Sequence, residues 1–131
     1  MNVVIYGGGT ISHVRNHLAL CAPAYGSTAR RLKQLLPQAD LRLTRMASES
    51  SRIITIHDLI HDISEVCADP YTKVIVMNAA ICDFNGRIGF EPSGPHAERL
   101  QTREGEVTMQ LTPAGKVIDV INLSIEIDNC S

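Results

Sequence analysis

Two short apolar runs, each followed at once by small residues, constrain the fold of this chain most strongly. Asn2–Tyr6 is followed by three glycines, and Lys73–Asn78 is followed by Ala79 and Ala80. Short apolar runs bounded by turn signals are typical of strands buried inside a sheet. Each run therefore predicts a buried strand that ends in residues small enough for a ligand to approach the backbone.

Helical patterns separate the predicted strands. Ser27 or Thr28 is predicted to cap a first helix, which Pro37 ends. Thr55 is predicted to cap a second helix, with Asp58 as the acidic partner of a capping box. Alternation of strands and helices predicts an α/β fold: a Rossmann-like three-layer α/β/α arrangement with a mainly parallel sheet.

The remaining segments complete one predicted domain over residues 1–131, since neither a linker nor an internal repeat is visible. Residues 11–25 are ambiguous with helical character, and a flap is expected at about 85–104, its glycine- and proline-rich part 85–98 being a long loop. Strands are predicted around Leu41 and Leu43, at Glu106–Leu111 and at Leu123–Ile127, with a short helix at 114–121.

The two post-strand segments are the first candidate site. We expect Gly7–Thr10 and Ala79–Asp83 to be loops that converge beyond the carboxyl ends of their strands, where open α/β sheets bind ligands. Backbone N–H groups of the glycines would cradle a phosphate, although a plain turn explains them equally well. Asp83 fits a role beside a ligand or Mg²⁺, and simple loop capping is the alternative.

Composition excludes some classes of function. The net charge is −2, aromatic residues are scarce and tryptophan is absent, which disfavours nucleic acid and anionic membranes as partners. Residues 27–52 carry a net charge of +4, as a solvated helix face or as a phosphate-binding surface. No apolar run is long enough to span a bilayer, and four widely spaced cysteines favour reduced thiols in a cytoplasmic protein. His57 and His61 lie on one helix face with acidic neighbours, a weak metal-site pattern.

Several segments match motifs of one enzyme family in the same order along the chain. They are Gly8-Gly9-Thr10 (GGT), Val14-Arg15 (VR), Gly26 (the last glycine of NxSSGxMG), Ala79–Phe84 (AAVADF), Glu98-Arg99-Leu100 (EKIK), Gly105–Pro113 with Lys116–Asp119 (GELTLxLxPxPKIID). On these motifs the chain resembles the phosphopantothenate–cysteine ligase family, the synthetase half of the bacterial coenzyme A flavoprotein.

This resemblance implies a Rossmann-like domain that binds CTP or ATP with Mg²⁺. The family converts the carboxylate of 4′-phosphopantothenate to an acyl-nucleotide, which cysteine attacks, and its members are usually homodimers. The implied catalytic residues are Asn16 and Arg99, and no residue is assigned as a metal ligand. The implied nucleotide-binding residues are Gly8, Gly9, Thr10, Arg15, Gly26, Ala79, Ala80, Asp83 and Phe84.

The chain departs from the family pattern at several places. The family's Ser-Ser-Gly falls on Cys21-Ala22-Pro23, and the segment between Thr10 and Val14 is short by comparison. The family's catalytic asparagine falls on Ala19, and the sequence given ends at Ser131, soon after the last predicted strand, where the family continues. A ligase-like enzyme, a half of a split enzyme completed by a partner chain, and a non-catalytic nucleotide-binding module therefore all stay open. A nicotinamide-dinucleotide domain is disfavoured, because Ser12 stands at the third glycine of GxGxxG.

Overall fold

The structure, a computed structural model, describes residues 2–119 and 121–122. This part of the chain forms a four-stranded sheet with two helices, followed by a two-stranded hairpin. None of the described helices is long and apolar enough to cross a membrane. The elements are β1 (Asn2–Arg15), β2 (Leu18–Ala22), α1 (Ser27–Leu35), β3 (Asp40–Leu43), α2 (Ile56–Ala68), β4 (Thr72–Ala80), β5 (Phe84–Ile88), a 3₁₀ helix (Thr102–Glu104), β6 (Met109–Pro113) and helical residues at 117–119 and 121–122.

The long strand β1 is the centre of the sheet. Its residues Val4–Gly7 pair in parallel with both β3 and β4, so these two strands lie on opposite edges of β1. Beyond Gly9, β1 continues and pairs antiparallel with β2, from Thr10 to Arg15. β5 and β6 also pair antiparallel. The predicted α/β class is confirmed, and the sheet is mixed.

The two helices pack on different faces of β1, because successive side chains of a strand point to opposite sides. Val4 and Tyr6 belong to a buried cluster with residues of α2, including Leu59 and Ile63. Ile5, between them in sequence, belongs to a second cluster that includes Ala29 of α1. The apolar stripe that the periodicity predicts for α2 is thus confirmed. Of the stripe predicted for α1, Ala29 and Leu32 pack in the core, whereas Leu35 and Leu36 are exposed.

The glycine segment was predicted to be a loop, and this is wrong. Gly7, Gly8 and Gly9 lie inside β1, where they pair with Asn78, Ala79 and Ala80 of β4. Ala79 and Ala80 are likewise strand residues rather than the start of a loop. Pairing with β4 extends β1 through Gly9, because tertiary contacts outweigh the weak preference of glycine for strand geometry.

Close approach of neighbouring elements explains the glycines. A Cβ atom at Gly7 would lie within 3.0 Å of Ala29 Cβ on α1. One at Gly8 would collide with the hydroxyl of Thr44, and the φ of 102° at Gly8 strongly favours glycine. The glycines therefore bring α1 and the segment after β3 against the sheet.

The structure contradicts some of the other predictions and confirms others. The helical character assigned to residues 11–25 is wrong, since most of this segment forms the β1–β2 hairpin. The N-cap of α1 is Gly26, and its carbonyl already accepts a bond from Arg30 N–H at 2.9 Å, so Ser27 and Thr28 lie inside the helix. Part of the predicted loop 85–98 is strand β5. The predicted strand around Leu41 and Leu43 is confirmed as β3, whereas Leu123–Ile127 lies outside the described residues.

We expect Gly7→Ala to destabilise the protein by about 2 kcal/mol or more, because the added methyl group overpacks the contact with Ala29. Urea denaturation measures the free energy of unfolding. Gly115→Ala is the matched control, because nothing lies within 4 Å of a Cβ at Gly115. Equal stability of the two variants would contradict this account of the glycine run.

Candidate functional site

A cavity of about 690 Å³ lies beside the extension of β1 beyond Gly9. The start of α2 forms one wall, and it is fixed there by a bridge between Ile11 and Thr55 and by the bond from Ile11 N–H to Ile54 O at 3.2 Å. This is the carboxyl edge of the parallel strands, where α/β sheets place their ligands. A volume of this size accommodates a nucleotide-sized molecule.

Five parts of the chain line the cavity, and most of the exposed wall is apolar. Asn85 and Gly86 come from β5, and the following segment contributes Ser93–Pro95. The full lining is Ile11, Ser12, His13, Thr55, Ile56, His57, Ile60, Asn85, Gly86, Ser93, Gly94, Pro95, Ala114, Gly115, Lys116 and Asp119.

Unpaired donors on two of these walls make the cavity suitable for an anion. The backbone N–H groups of Ile56 and His57, at the first two positions of α2, have no acceptor among the described residues. The ammonium group of Lys116 also has no hydrogen-bond or ion-pair partner in this part of the chain. Free N–H groups at a helix N-terminus attract negative charge, and a nearby lysine adds a full positive charge.

A capping box fixes the helix end that faces the cavity, as the sequence predicted. Asp58 N–H donates to Thr55 Oγ1 at 3.1 Å, while the Asp58 carboxylate accepts from the N–H groups of Thr55 and Ile54, each at 3.0 Å. Partial burial alone would raise the pKa of Asp58, but these backbone hydrogen bonds outweigh it and lower the pKa below its ordinary value. The box therefore holds the first turn of α2 in one orientation.

The structure brings one group of the predicted nucleotide-binding residues together. Gly8 and Gly9 pair with Ala79 and Ala80, and Thr10 Oγ1 donates to Ala80 O at 2.9 Å. Their proximity at the carboxyl edge was predicted correctly. The N–H of Gly9 already donates to Ala24 O at 2.8 Å, however. The glycine backbone is thus committed to strand and loop hydrogen bonds at this point.

Arg15 and Asn16 lie at the far end of β1. Seven residues of extended strand span about 20 Å, so one phosphate cannot contact both Gly8 and Arg15. Arg15 is buried, and Asn16 is exposed in the turn before β2. Ala19, where the family's catalytic asparagine falls, pairs with His13 in the hairpin.

The remaining predicted residues do not line the cavity. Asp83 is exposed, and its carbonyl accepts from Ala114 N–H at 2.7 Å. Phe84 begins β5, Gly26 caps α1 near Gly7, and Arg99 is exposed. Two lining residues directly follow predicted ones in the sequence: Ile11 follows Thr10, and Asn85 follows Phe84.

The sequence contained signals for part of this lining. Thr55 was identified as a helix cap, and a helix N-terminus at the carboxyl edge of a sheet predicts an anion site. His57 lines the cavity, whereas His61 pairs with Glu65 at 3.2 Å. No group of three or more potential metal ligands occurs among residues 2–119 and 121–122. Ser12, His13 and Ser93 carried no recognisable motif, because only folding brings their segments together.

No protein-family model matches this chain, and no curated protein matches it significantly. The resemblance to the phosphopantothenate–cysteine ligase family rests on the sequence motifs.

We expect Thr55→Ala to destabilise the protein by about 1 kcal/mol, because the first turn of α2 loses its side-chain cap. Urea denaturation provides the measurement. Thr108→Ala is the control, since Thr108 is exposed and its side chain makes no hydrogen bond in the described structure. A capping role is refuted if both variants match the wild type.

Asp58 predicts a dependence of stability on pH. Since folding lowers the pKa of Asp58 below its ordinary value of 3.8, its stabilising contribution is complete above that value. The contribution is lost as the pH falls through the folded-state pKa. Denaturation of wild type and Asp58→Asn at pH 7, 5 and 3 should show a stability difference that shrinks only at the lowest pH. A constant difference would exclude this linkage.

Proposed function

We propose that this chain binds a phosphorylated small molecule, and specifically a nucleoside triphosphate, in the cavity at the start of α2. One observation carries the proposal: Ile56 and His57, whose backbone N–H groups have no acceptor among the described residues, line the same cavity as Lys116, whose ammonium has no partner there. Each favours a phosphate group, and together they favour a polyanion. The apolar remainder of the wall suits a base and a sugar.

The proposed fold is a Rossmann-like unit built on β3, β1 and β4. Parallel pairing of these strands and the packing of α1 and α2 on different faces support it. The antiparallel β2 is then an addition to that unit, formed by the extension of β1. In this fold the phosphates lie at the carboxyl edge beside a helix N-terminus.

Magnesium fits the proposed site through the chemistry of its donors. Mg²⁺ binds to nucleotide phosphates and one or two protein carboxylates, keeping several waters. Asp119 is a carboxylate residue of the cavity lining. Asp83 does not line the cavity, but its carbonyl accepts the N–H of the lining residue Ala114. Asp119 is the residue that would hold the metal, and the metal would reduce the charge of the phosphates.

The proposed reaction is the ligase chemistry that the sequence motifs imply. The carboxylate of 4′-phosphopantothenate would attack the α-phosphorus of CTP or ATP, forming an acyl-nucleotide and releasing pyrophosphate. Lys116 and the α2 N-terminus would stabilise the negative charge that develops on the phosphates. Asn16 and Arg99, on exposed segments, would serve this reaction only after movement of the chain or from a second copy or partner chain.

A non-catalytic nucleotide-binding module is the second candidate, favoured by Ala19. This residue occupies the place of the family's catalytic asparagine and pairs with His13 within a regular hairpin. An alanine side chain cannot polarise a reacting group. The cavity and its anion-binding donors do not depend on that residue, so binding would persist without the reaction.

Calorimetric titration with CTP and ATP in the presence of Mg²⁺ tests the binding. We expect Lys116→Ala to weaken binding about tenfold, since a hydrogen-bonded charge contributes roughly 1.5 kcal/mol. Lys73→Ala is the matched control, because Lys73 is an exposed lysine of β4 outside the cavity lining. Unchanged affinity in the Lys116 variant would exclude the cavity as the phosphate site.

Asp83→Ala distinguishes the cavity from the strand edge. If the nucleotide lies at the sequence-predicted segment Ala79–Asp83, the Asp83 variant loses affinity and Lys116→Ala does not. The cavity proposal expects the reverse ranking, because Asp83 is exposed and does not line the cavity. Thermal denaturation of both variants checks that each remains folded.

Pyrophosphate release tests the reaction separately. A mixture of CTP, 4′-phosphopantothenate and Mg²⁺ should release pyrophosphate if the chain is an active ligase, and cysteine added to that mixture should then be consumed with release of CMP. Binding of CTP without pyrophosphate release would instead support the non-catalytic module.

A further inference from the structure

A buried arginine at the end of β1 connects the sheet to a segment that lines the cavity. The side chain of Arg15 is only 2% exposed. Its Nη1 donates to Val14 O at 2.8 Å, its Nη2 pairs with Glu91 Oε2 at 3.4 Å, and its Nε has no hydrogen-bond partner. A buried guanidinium requires a counter-charge, and Glu91 is its ion-pair partner in the described part of the chain.

Glu91 in turn holds the far end of its own segment. Its second carboxylate oxygen, Oε1, accepts the backbone N–H of Glu98 at 2.7 Å. Between these residues, Gly94 N–H donates to Val14 O at 3.1 Å, next to Arg15. The segment 89–98 is therefore attached to the end of β1 by an ion pair and by a backbone hydrogen bond.

The attached segment forms a wall of the cavity. Ser93, Gly94 and Pro95 line it, and Ser93 Oγ donates to Gly86 O at 2.5 Å. The segment has no regular secondary structure, and its Phe90 is fully exposed. Because few buried contacts hold the segment, its position depends on these individual attachments.

The Arg15–Glu91 ion pair has the geometry of a weak contact. It consists of one contact at 3.4 Å rather than two short parallel hydrogen bonds, and the carboxylate side is 42% exposed. The third guanidinium donor, Nε, contributes nothing to the attachment. Water can therefore solvate the Glu91 carboxylate when the contact opens, while Arg15 keeps its bond to Val14 O.

We propose that Arg15 and Glu91 are positioning residues that hold segment 89–98 against the cavity, and that their ion pair sets the rate at which the phosphorylated ligand enters and leaves. The ligand in this statement rests on the proposed function, whereas the attachment of the segment does not. Neither residue touches the ligand in this account. Both act through Ser93–Pro95.

Hydrogen exchange tests the attachment without any ligand. In Glu91→Ala, the amides of Gly94 and Glu98 should exchange about fivefold faster or more, the upper range for a partly exposed ion pair. The amide of Leu59 in α2 should be unchanged. Glu91→Gln keeps an acceptor for Glu98 N–H but loses the charge, and it should give an intermediate rate at Glu98. If the Gly94 and Glu98 amides of Glu91→Ala exchange at the wild-type rate, the proposal is overturned.

Stopped-flow release of CTP tests the consequence for the cavity. Dissociation should accelerate about fivefold in Glu91→Ala, in proportion to the opening of the segment. Glu98→Gln is the matched control, because it removes the same charge from the same segment and keeps the backbone N–H that Glu91 accepts. Faster exchange with unchanged release would overturn the control of ligand access. If CTP does not bind to the wild type, the proposed function fails and hydrogen exchange alone decides the attachment.

Arg15→Lys provides a second test of the attachment in a variant that we expect to fold. Arg15→Lys retains the buried charge but lacks the planar donors that contact Val14 and Glu91. Its Gly94 amide should exchange faster than that of the wild type while its unfolding transition remains cooperative. Slow exchange in this variant would show that charge alone, without the guanidinium geometry, holds the segment.

Discussion

The structure depends on the close approach that the glycine run of β1 permits. Gly7 and Gly8 lie where side chains would collide with Ala29 of α1 and with Thr44 after β3. Both flanking strands pair with β1 over the same residues, Val4–Gly7. The parallel unit and its two packed helices are therefore assembled around a strand whose central part has almost no side-chain volume. A single methyl group there would separate layers that are otherwise in contact.

The same strand connects the core to the candidate site. Its first half is buried between α1 and α2, and its second half extends beyond the parallel strands to form a hairpin with β2. The cavity lies beside this extension, where Ile11 bridges to Thr55 at the start of α2. One continuous strand therefore joins the core to the wall of the cavity. By contrast, the opposite wall at Ser93–Pro95 is held by a few hydrogen bonds and one ion pair.

A partly buried polar network strengthens this central unit on the α2 side. Tyr6 donates to Asp62 at 2.6 Å, and Arg42 pairs with Asp62 at 3.0 Å and with Asp40 at 2.9 Å. Burial, and then the bond to Asp62, raise the pKa of Tyr6 far above its ordinary value, so its hydroxyl remains a donor. The Asp62 carboxylate of α2 therefore joins this helix to both β1 and β3.

The sequence by itself determined the elements that local chemistry specifies. The Thr55–Asp58 capping box, the strand at Leu41 and Leu43, and the apolar face of α2 follow from hydrogen-bonding side chains and from periodicity, and the structure contains them. Only the tertiary structure decided that Gly7–Gly9 belong to a strand and that residues 10–22 form a hairpin, because pairing partners distant in sequence outweigh weak local preferences. It also decided the cavity. Ser12, His57, Ser93 and Lys116 become neighbours through strand pairing and helix packing, and no local pattern encodes that contact.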